Sequence, residues 1–135
     1  MQNVFDAKDA QEYINRINNL TPETQRKWGK MSVNQVLAHL NVAYDLTFTP
    51  EKFPKPSFIA KFLLSKFVKP KITNEIPYKP SLPTSPAFII ADERNFEEEK
   101  AKLIGNIQRV QQLGREAFEG KENINFGKMT AQGWN

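Results

Sequence analysis

The only histidine of the chain, His39, is the side chain best suited to metal or acid–base chemistry. A zinc-like ion takes three or four ligands from histidine, cysteine or carboxylate groups. The chain has no cysteine, so further ligands would be carboxylates such as Asp45 or Glu97 to Glu99. Asp45 follows His39 by six residues, which is about 240° around a helix turning roughly 100° per residue, so the two side chains do not share a face. Spacing alone therefore predicts a packing or hydrogen-bonding role for His39 and argues against a tight mononuclear metal site.

A serine nucleophile is the next candidate, because Ser32 precedes His39 by seven residues. In a helix this separation is two turns, or about 10 Å of rise, whereas a serine and its base must lie roughly 3 Å apart. Gln35 stands three residues after Ser32, the spacing of a capping box, so Ser32 is predicted to begin a helix. The acidic run Glu97–Glu99 is predicted to be a solvated first helical turn. No phosphate-binding glycine motif is present.

Two similar phrases mark helix starts, Trp28-Gly-Lys-Met-Ser32 and Phe126-Gly-Lys-Met-Thr130. Each ends in a hydroxyl residue that suits the N-cap position. The first precedes the helix that carries His39, and the second precedes a helix that reaches Asn135 after five residues. So short a helix is marginal by itself. We therefore expect a truncated last helix, with either a frayed C-terminus of marginal stability or a partner chain that fills the gap.

Apolar periodicity predicts an all-α fold in a single domain, residues 1–135. The predicted helices cover residues 6–20, from after Ser32 to about Thr49, 57–69, and from Asp92 or Asn95 to Phe118 with Gly120 ending it. The predicted core stripe of the second helix is Val33, Val36, Leu37, Leu40, Ala43, Tyr44 and Thr47, with His39 at its edge. That of the last long helix is Phe96, Leu103, Ile107, Val110 and Ala117.

The stretch from Pro70 to Pro86 contains five prolines and predicts a long irregular loop. Its continuation, Ala87–Ile90, is predicted either to pack against the helices or to form a short strand. The helix predicted at 57–69 has apolar residues around most of its circumference, so it is either well covered or a surface that meets a partner.

Basic charge is concentrated in one part of the chain, whose overall net charge is +4. Residues 52–79 hold seven lysines and one acidic residue, a net charge of +6, whereas the rest holds 12 basic and 14 acidic residues. Lysines interleaved with phenylalanines suit an anionic membrane surface or a nucleic acid. Against both, the polar face is narrow and the apolar residues are needed to build the bundle. We therefore expect no nucleic acid partner, do not favour a membrane surface, and assign this helix to covering the bundle or to a homodimer contact.

Several phrases resemble an uncharacterised branch of the DinB-like superfamily. The phrase from Trp28 to His39 looks like the helix that carries the first metal-binding histidine there. Supporting phrases are residues 74–79, residues 92–96, and residues 126–130 with Trp134. The resemblance implies a four-helix bundle with a short extra helix, a long Pro-rich loop and, in intact relatives, three histidines that hold a divalent metal such as zinc or nickel.

The resemblance carries one site residue over to this chain, His39. Relatives often place a histidine near Ile124 and carry more on a longer last helix, so it implies an incomplete three-histidine site here. The implied function is that of metal-dependent thiol transferases or hydrolases acting on small molecules. The alternative is a non-catalytic bundle that binds a small ligand or self-associates. No signal peptide or spanning segment is evident, so a cytoplasmic location is expected.

Overall fold

The computed structural model describes residues 2–74, 76, 79–80 and 82–135. The chain is mostly helical, which confirms the all-α prediction. The α-helices are α1 (Ala7–Asn18), α2 (Val33–Phe48), α3 (Phe58–Leu63), α4 (Lys69–Ile72), α5 (Phe96–Leu113) and α6 (Ala131–Trp134). A π-helical turn, Leu64–Val68, joins α3 to α4, and 3₁₀ turns occupy Pro50–Lys52, Pro86–Phe88 and Arg115–Phe118. Strands β1 (Glu122–Asn123) and β2 (Gly127–Lys128) form an antiparallel hairpin that the sequence did not lead us to expect.

Three helices, α1, α2 and α5, share the main hydrophobic core. Its fully buried members are Ala10 and Ile14 from α1, Leu37 from α2, and Phe96, Leu103 and Ile107 from α5. A second cluster forms around Val110, Phe118 and Ala131, against which Tyr44, Phe48 and Trp134 pack. None of the residues of α3, α4 or the π-helical turn between them is buried. The core therefore forms without that helical segment.

The predicted helix starts are confirmed by their capping hydrogen bonds. The Ser32 hydroxyl accepts from the Gln35 backbone N–H at 3.3 Å, and the Gln35 side chain accepts from the Ser32 N–H at 3.0 Å, which completes the capping box. The Asn95 side chain accepts from Glu98 at 3.0 Å, and the Thr130 hydroxyl accepts from the Gly133 N–H at 3.2 Å. These bonds satisfy backbone donors that a helix start leaves unpaired.

The predicted core stripe of α2 is wrong in its details. Val36 and Leu40 are 37% and 45% exposed, whereas Ala38 and Asn41, which the stripe leaves out, are buried. The buried face is turned because Asn41 enters the core with its amide fully hydrogen-bonded by α5. A satisfied amide can be buried where an unsatisfied one would be costly.

The last long helix ends earlier than predicted. Gly114 terminates α5 after Leu113, because its φ of 73° and ψ of 168° are not helical. Glycine adopts this conformation readily, whereas residues with a side chain rarely do. A 3₁₀ turn follows in place of the helix predicted up to Phe118. As a result Phe118 is buried in the second cluster, whereas the predicted core residue Ala117 is exposed.

The helix predicted at 57–69 continues to Ile72, so the Pro-rich loop begins later than expected. We call the continuous run of α3, the π-helical turn and α4 the helical segment 58–72. Its backbone stays in the right-handed helical region at both junctions. The π turn ends just before Pro70, and a wider turn accommodates a ring that would clash with the carbonyl four residues earlier in an α-helix.

The predicted Pro-rich loop and the phrase 74–79 fall partly outside the described residues, at Glu75, Pro77, Tyr78 and Ser81. Of the two alternatives for Ala87–Ile90, packing is the one found. A 3₁₀ turn occupies Pro86–Phe88, and Ile90 is buried.

Of the two alternatives expected for the last helix, the frayed C-terminus is not found, because α6 is held in place at both its ends. The partner chain stays a prediction. Trp134 packs its ring 6.0 Å from that of Phe118, and Ala131 is fully buried. The Asn135 side chain accepts from the Val4 N–H at 2.6 Å and donates to the Gln2 carbonyl at 3.1 Å. Tertiary contacts thus stabilise a single turn that has too few residues to form by itself.

Candidate functional site

His39 lies in a row of polar side chains on α2 that bind the backbone of the segment preceding α5. Its Nδ1 lies 2.7 Å from the Phe88 carbonyl oxygen, and the two rings pack edge to face with centroids 5.5 Å apart. Gln35 donates to the Asp92 carbonyl at 3.2 Å, and Asn34 donates to the Arg94 carbonyl at 2.9 Å. The i, i+4 spacing of residues 35 and 39 places both on one side of the helix. The three side chains together hold residues 88–94 against α2. His39 thus has the hydrogen-bonding role that its spacing predicts.

Two of the acidic side chains considered as partners of His39, those of Asp45 and Glu99, are engaged elsewhere. Asp45 pairs with Lys102 at 2.7 Å. Glu99 bonds Asn41 at 2.8 Å and lies 3.6 Å from Arg94. Within the part of the chain that the structure describes, no three histidine or carboxylate side chains are grouped to hold a metal ion. Among these residues His39 is therefore not grouped with two further ligands of the kind that the resemblance implies.

A polar cluster inside the core links α2 to α5. Asn41 is 1% exposed. Its amide nitrogen donates to the Glu99 carbonyl at 3.0 Å and to the Glu99 carboxylate at 2.8 Å, and its oxygen accepts from Asn106 at 3.1 Å. The predicted solvated turn at Glu97–Glu99 is therefore wrong for Glu99, whose side chain is only 14% exposed. All polar atoms of Asn41 are satisfied, and the cluster fixes the register of the two helices.

The most prominent exposed feature is the outward face of the helical segment 58–72. Seven large apolar side chains of the segment are exposed, and we call the five most exposed of them the apolar surface: Phe58 (87% exposed), Ile59 (70%), Phe62 (55%), Leu63 (47%) and Phe67 (58%). Monomeric soluble proteins rarely expose contiguous apolar groups of this extent unless they bind something.

The π-helical turn keeps these side chains on one face. In a π turn each residue rotates the helix by less than the roughly 100° of an α-helix, because the bonds run from i to i+5. Five residues through a π turn return nearly to the same side of the helix, so Phe67 follows Phe62 on one face. The Lys66 ammonium lies 5.7 Å from the centre of the Phe62 ring. In a regular α-helix Phe67 would lie about 140° round from Phe62.

The opposite face of the segment is attached to the β-hairpin by polar contacts. Lys61 pairs with Glu122 at 2.7 Å, and the Lys69 ammonium donates to the Lys128 carbonyl. The hydrogen bond and the charge of Lys61 lower the pKa of the Glu122 carboxyl. This inward face carries Ala60, Leu64 and Ser65, which are half-buried. The segment is thus amphipathic with its larger apolar side chains directed away from the protein.

Exposed lysines lie within the helical segment and beside it in the sequence. Lys52, Lys55, Lys66 and Lys71 are exposed, and within residues 52–79 the sequence holds Glu75 as its one acidic residue. Lys61 and Lys69 bond the hairpin, whereas Lys66 lies over the Phe62 ring. The apolar surface thus lies in a part of the chain that is rich in exposed positive charge.

A cleft of about 280 Å³ separates the end of the segment from the C-terminal turn. It is lined by Lys69, Thr73, Glu119, Gly120, Lys128, Met129, Thr130, Gln132 and Gly133. Pockets for drug-sized ligands start at roughly 300 Å³ and bury most of the ligand. The cleft is open and small for that purpose, so it gives little support to the predicted small-ligand site.

Sequence reasoning singled out His39 but did not identify the apolar surface as exposed. The signal was present, since apolar residues surround the predicted helix at 57–69, but the same pattern also fits a covered helix. No helix in the described part of the chain is long and apolar enough to cross a bilayer. No family model, curated protein or solved structure matches this chain.

Proposed function

We propose that this protein acts by binding rather than by catalysis, and that it binds through the apolar surface of the helical segment 58–72. The observation that carries the proposal is the exposure of Phe58, Phe62 and Phe67, which range from 55% to 87% exposed. Burying a phenylalanine side chain gains about 1.5–3 kcal/mol. These three rings contribute little of that to folding, so the gain is available to a binding partner.

The experiment replaces the three rings together, Phe58→Ser, Phe62→Ser and Phe67→Ser. Serine and phenylalanine have similar helix propensities, so the helix itself is preserved. We expect the free energy of unfolding in urea to change by less than about 1 kcal/mol, as for surface substitutions. Binding of an environment-sensitive dye, or retention on an apolar column, should fall sharply.

The matched control is Phe118→Ser, which makes the same change at a ring that is 2% exposed. Its loss should be about 3–5 kcal/mol, the range for emptying a buried aromatic site. If the triple serine variant unfolds as readily as the control, the apolar surface is part of the folded core and the proposed function is wrong.

We also propose that the architecture is a DinB-like four-helix bundle in the cytoplasm, with the segment 58–72 as its extra helix. Its support is the common core of α1, α2 and α5, with α6 packed in the second hydrophobic cluster. We propose a homodimer as the form of self-association of this bundle. A sedimentation measurement of the wild type and the triple serine variant tests whether a dimer uses the apolar surface.

A second candidate function follows from the resemblance, namely that His39 is one ligand of a divalent metal site for zinc or nickel. The hydrogen bond to the Phe88 carbonyl favours it, because a carbonyl acceptor places the proton on Nδ1 and leaves the Nε2 lone pair for a metal. Calorimetric titration with Zn²⁺ and Ni²⁺ tests this. Stoichiometric binding that is lost in His39→Ala supports the candidate, and equal behaviour of the two proteins contradicts it.

A further inference from the structure

We infer that the partner of the apolar surface is an anionic lipid membrane, on which the helical segment 58–72 lies parallel to the bilayer plane. This inference rests on the proposed function, that the apolar surface is a binding surface. Interfacial helices have phenylalanine and leucine on one face and lysine around it, and they sink about 5–10 Å into the headgroup region. Phe58, Phe62 and Leu63 supply the apolar face. Lys66 lies over the Phe62 ring, and the exposed Lys55 precedes Phe58 by three residues.

The charge of the segment distinguishes the possible partners. A second copy would bring two surfaces of the same charge together, and like charges facing each other disfavour association. Residues 52–79 carry a net charge of +6 by sequence, so each copy would present the same lysines to the other. An anionic lipid surface instead attracts them, by about 1 kcal/mol for each lysine near the surface. Charge complementarity therefore favours the membrane.

The aliphatic residues argue against a nucleic acid. Phenylalanine rings stack on unpaired bases, but Ile59 and Leu63, which are 70% and 47% exposed, have no counterpart on a phosphate backbone. The acyl chains of a bilayer accept aliphatic and aromatic side chains alike. Lysine side chains at the margin can extend their ammonium groups to the lipid phosphates while their methylene stems stay in apolar surroundings.

The way the segment is attached leaves the apolar surface accessible to a membrane. Its contacts with the hairpin, Lys61 with Glu122 and Lys69 with the Lys128 carbonyl, are on the opposite face. None of its residues belongs to either core cluster. Docking therefore requires no unfolding of the bundle. The π turn contributes by keeping Phe67 on the same face as Phe58 and Phe62.

The test is co-sedimentation of the full chain with vesicles of phosphatidylcholine alone and with about 30% phosphatidylserine added. We expect binding to the anionic vesicles that weakens as salt screens the lysines. The triple serine variant should lose more than about 100-fold in partitioning, because three rings no longer enter the bilayer. Lys66→Gln with Lys71→Gln should lose about 25-fold on anionic vesicles, or roughly fivefold per lysine.

The matched control is Lys8→Gln with Lys27→Gln, which removes the same net charge from exposed residues outside the segment. It should bind nearly as well as the wild type. A further readout comes from Phe62→Trp, whose emission should shift to shorter wavelength on vesicles and be quenched by lipids brominated on the acyl chains. The same vesicles should leave the emission of the wild-type tryptophans little changed.

Three outcomes overturn the inference. The first is absence of binding to anionic vesicles at low salt by the folded wild type. The second is an equal loss for the two lysine pairs, and the third is no quenching of Trp at position 62. Suppose that the wild type self-associates but does not bind vesicles, and that the triple serine variant stays folded but no longer self-associates. The proposed function then stands, and the partner of the apolar surface is a second copy of the chain. If that variant unfolds, the proposed function itself fails.

Discussion

Replacing the buried Asn41 with alanine should lower the free energy of unfolding far more than the same change at an exposed helical asparagine. Asn41 is 1% exposed and makes three side-chain hydrogen bonds to α5. Alanine removes all three and leaves the polar groups of Glu99 and Asn106 facing an apolar methyl group. A buried polar group that loses its partner keeps its full desolvation cost.

The magnitude follows from the individual bonds. The bond to the Glu99 carboxylate involves a charged group and contributes about 1.5–3 kcal/mol, and each of the two neutral bonds contributes about 0.5–1.5 kcal/mol. Alanine recovers roughly 0.6 kcal/mol through its higher helix propensity. The expected net loss is therefore about 3 kcal/mol, a large fraction of the 5–15 kcal/mol that holds a typical domain folded.

Urea unfolding followed by circular dichroism measures this loss. With a slope of about 1.5 kcal/mol per molar urea, the midpoint should fall by about 2 M. Asn15→Ala is the matched control, because Asn15 makes one exposed side-chain hydrogen bond on α1. Asn106→Ala should fall between the two. A loss for Asn41→Ala below about 1 kcal/mol, or equal to that of Asn15→Ala, would refute the role assigned to the cluster.

Three further predictions concern pH and helix capping. Burial raises the pKa of Tyr44 to about 12, so the folded state favours the neutral phenol. The stability that this difference contributes is present below pH 10 and is lost as pH rises through about 12. Unfolding measured across that range should show this pH dependence in the wild type but not in Tyr44→Phe. The hydrogen bond and charge of Lys61 lower the pKa of Glu122. The wild type should therefore be more stable than Glu122→Gln at pH 7, and this advantage should vanish as pH falls through the lowered pKa. An equal difference in unfolding free energy at acid pH would contradict the pairing. Ser32→Ala should lower the unfolding free energy by about 1 kcal/mol, while Ser85→Ala, at a residue without a capping side-chain bond, should leave it unchanged.

Helix starts could be predicted from the sequence because capping is local. Ser32, Asn95 and Thr130 each bond a backbone N–H three residues ahead, so residue type and spacing carry all the information. The end of α5 was harder to predict. Gly114 and Gly120 both have positive φ, of 73° and 72°, and the first of them stops the helix. The predicted apolar stripe of this helix continues to Ala117, so it favoured the later one.

The buried face of α2 could not be predicted, because hydrophobicity alone decides which residues join a predicted stripe. Asn41 is polar, so the periodicity rule places it outside the core and puts Leu40 inside. The structure has the reverse, since Glu99 and Asn106 satisfy the amide from across the interface. Those partners are 58 and 65 residues away along the chain. Only the folded arrangement brings together the groups that make burial of this amide favourable.

The helical segment 58–72 shows why a binding site can escape a sequence pattern that contains it. Periodicity identifies faces of a helix, but it does not say which face the rest of the chain covers. Here the covered face holds Ser65 and two lysines, Lys61 and Lys69, whose ammonium groups bond the β-hairpin. The face richer in phenylalanine is exposed to solvent. A core needs the larger apolar face to point inward, so the inverted orientation is a cost to folding. Such a cost is typical of functional surfaces, where one local rule is broken and the binding partner supplies the compensation.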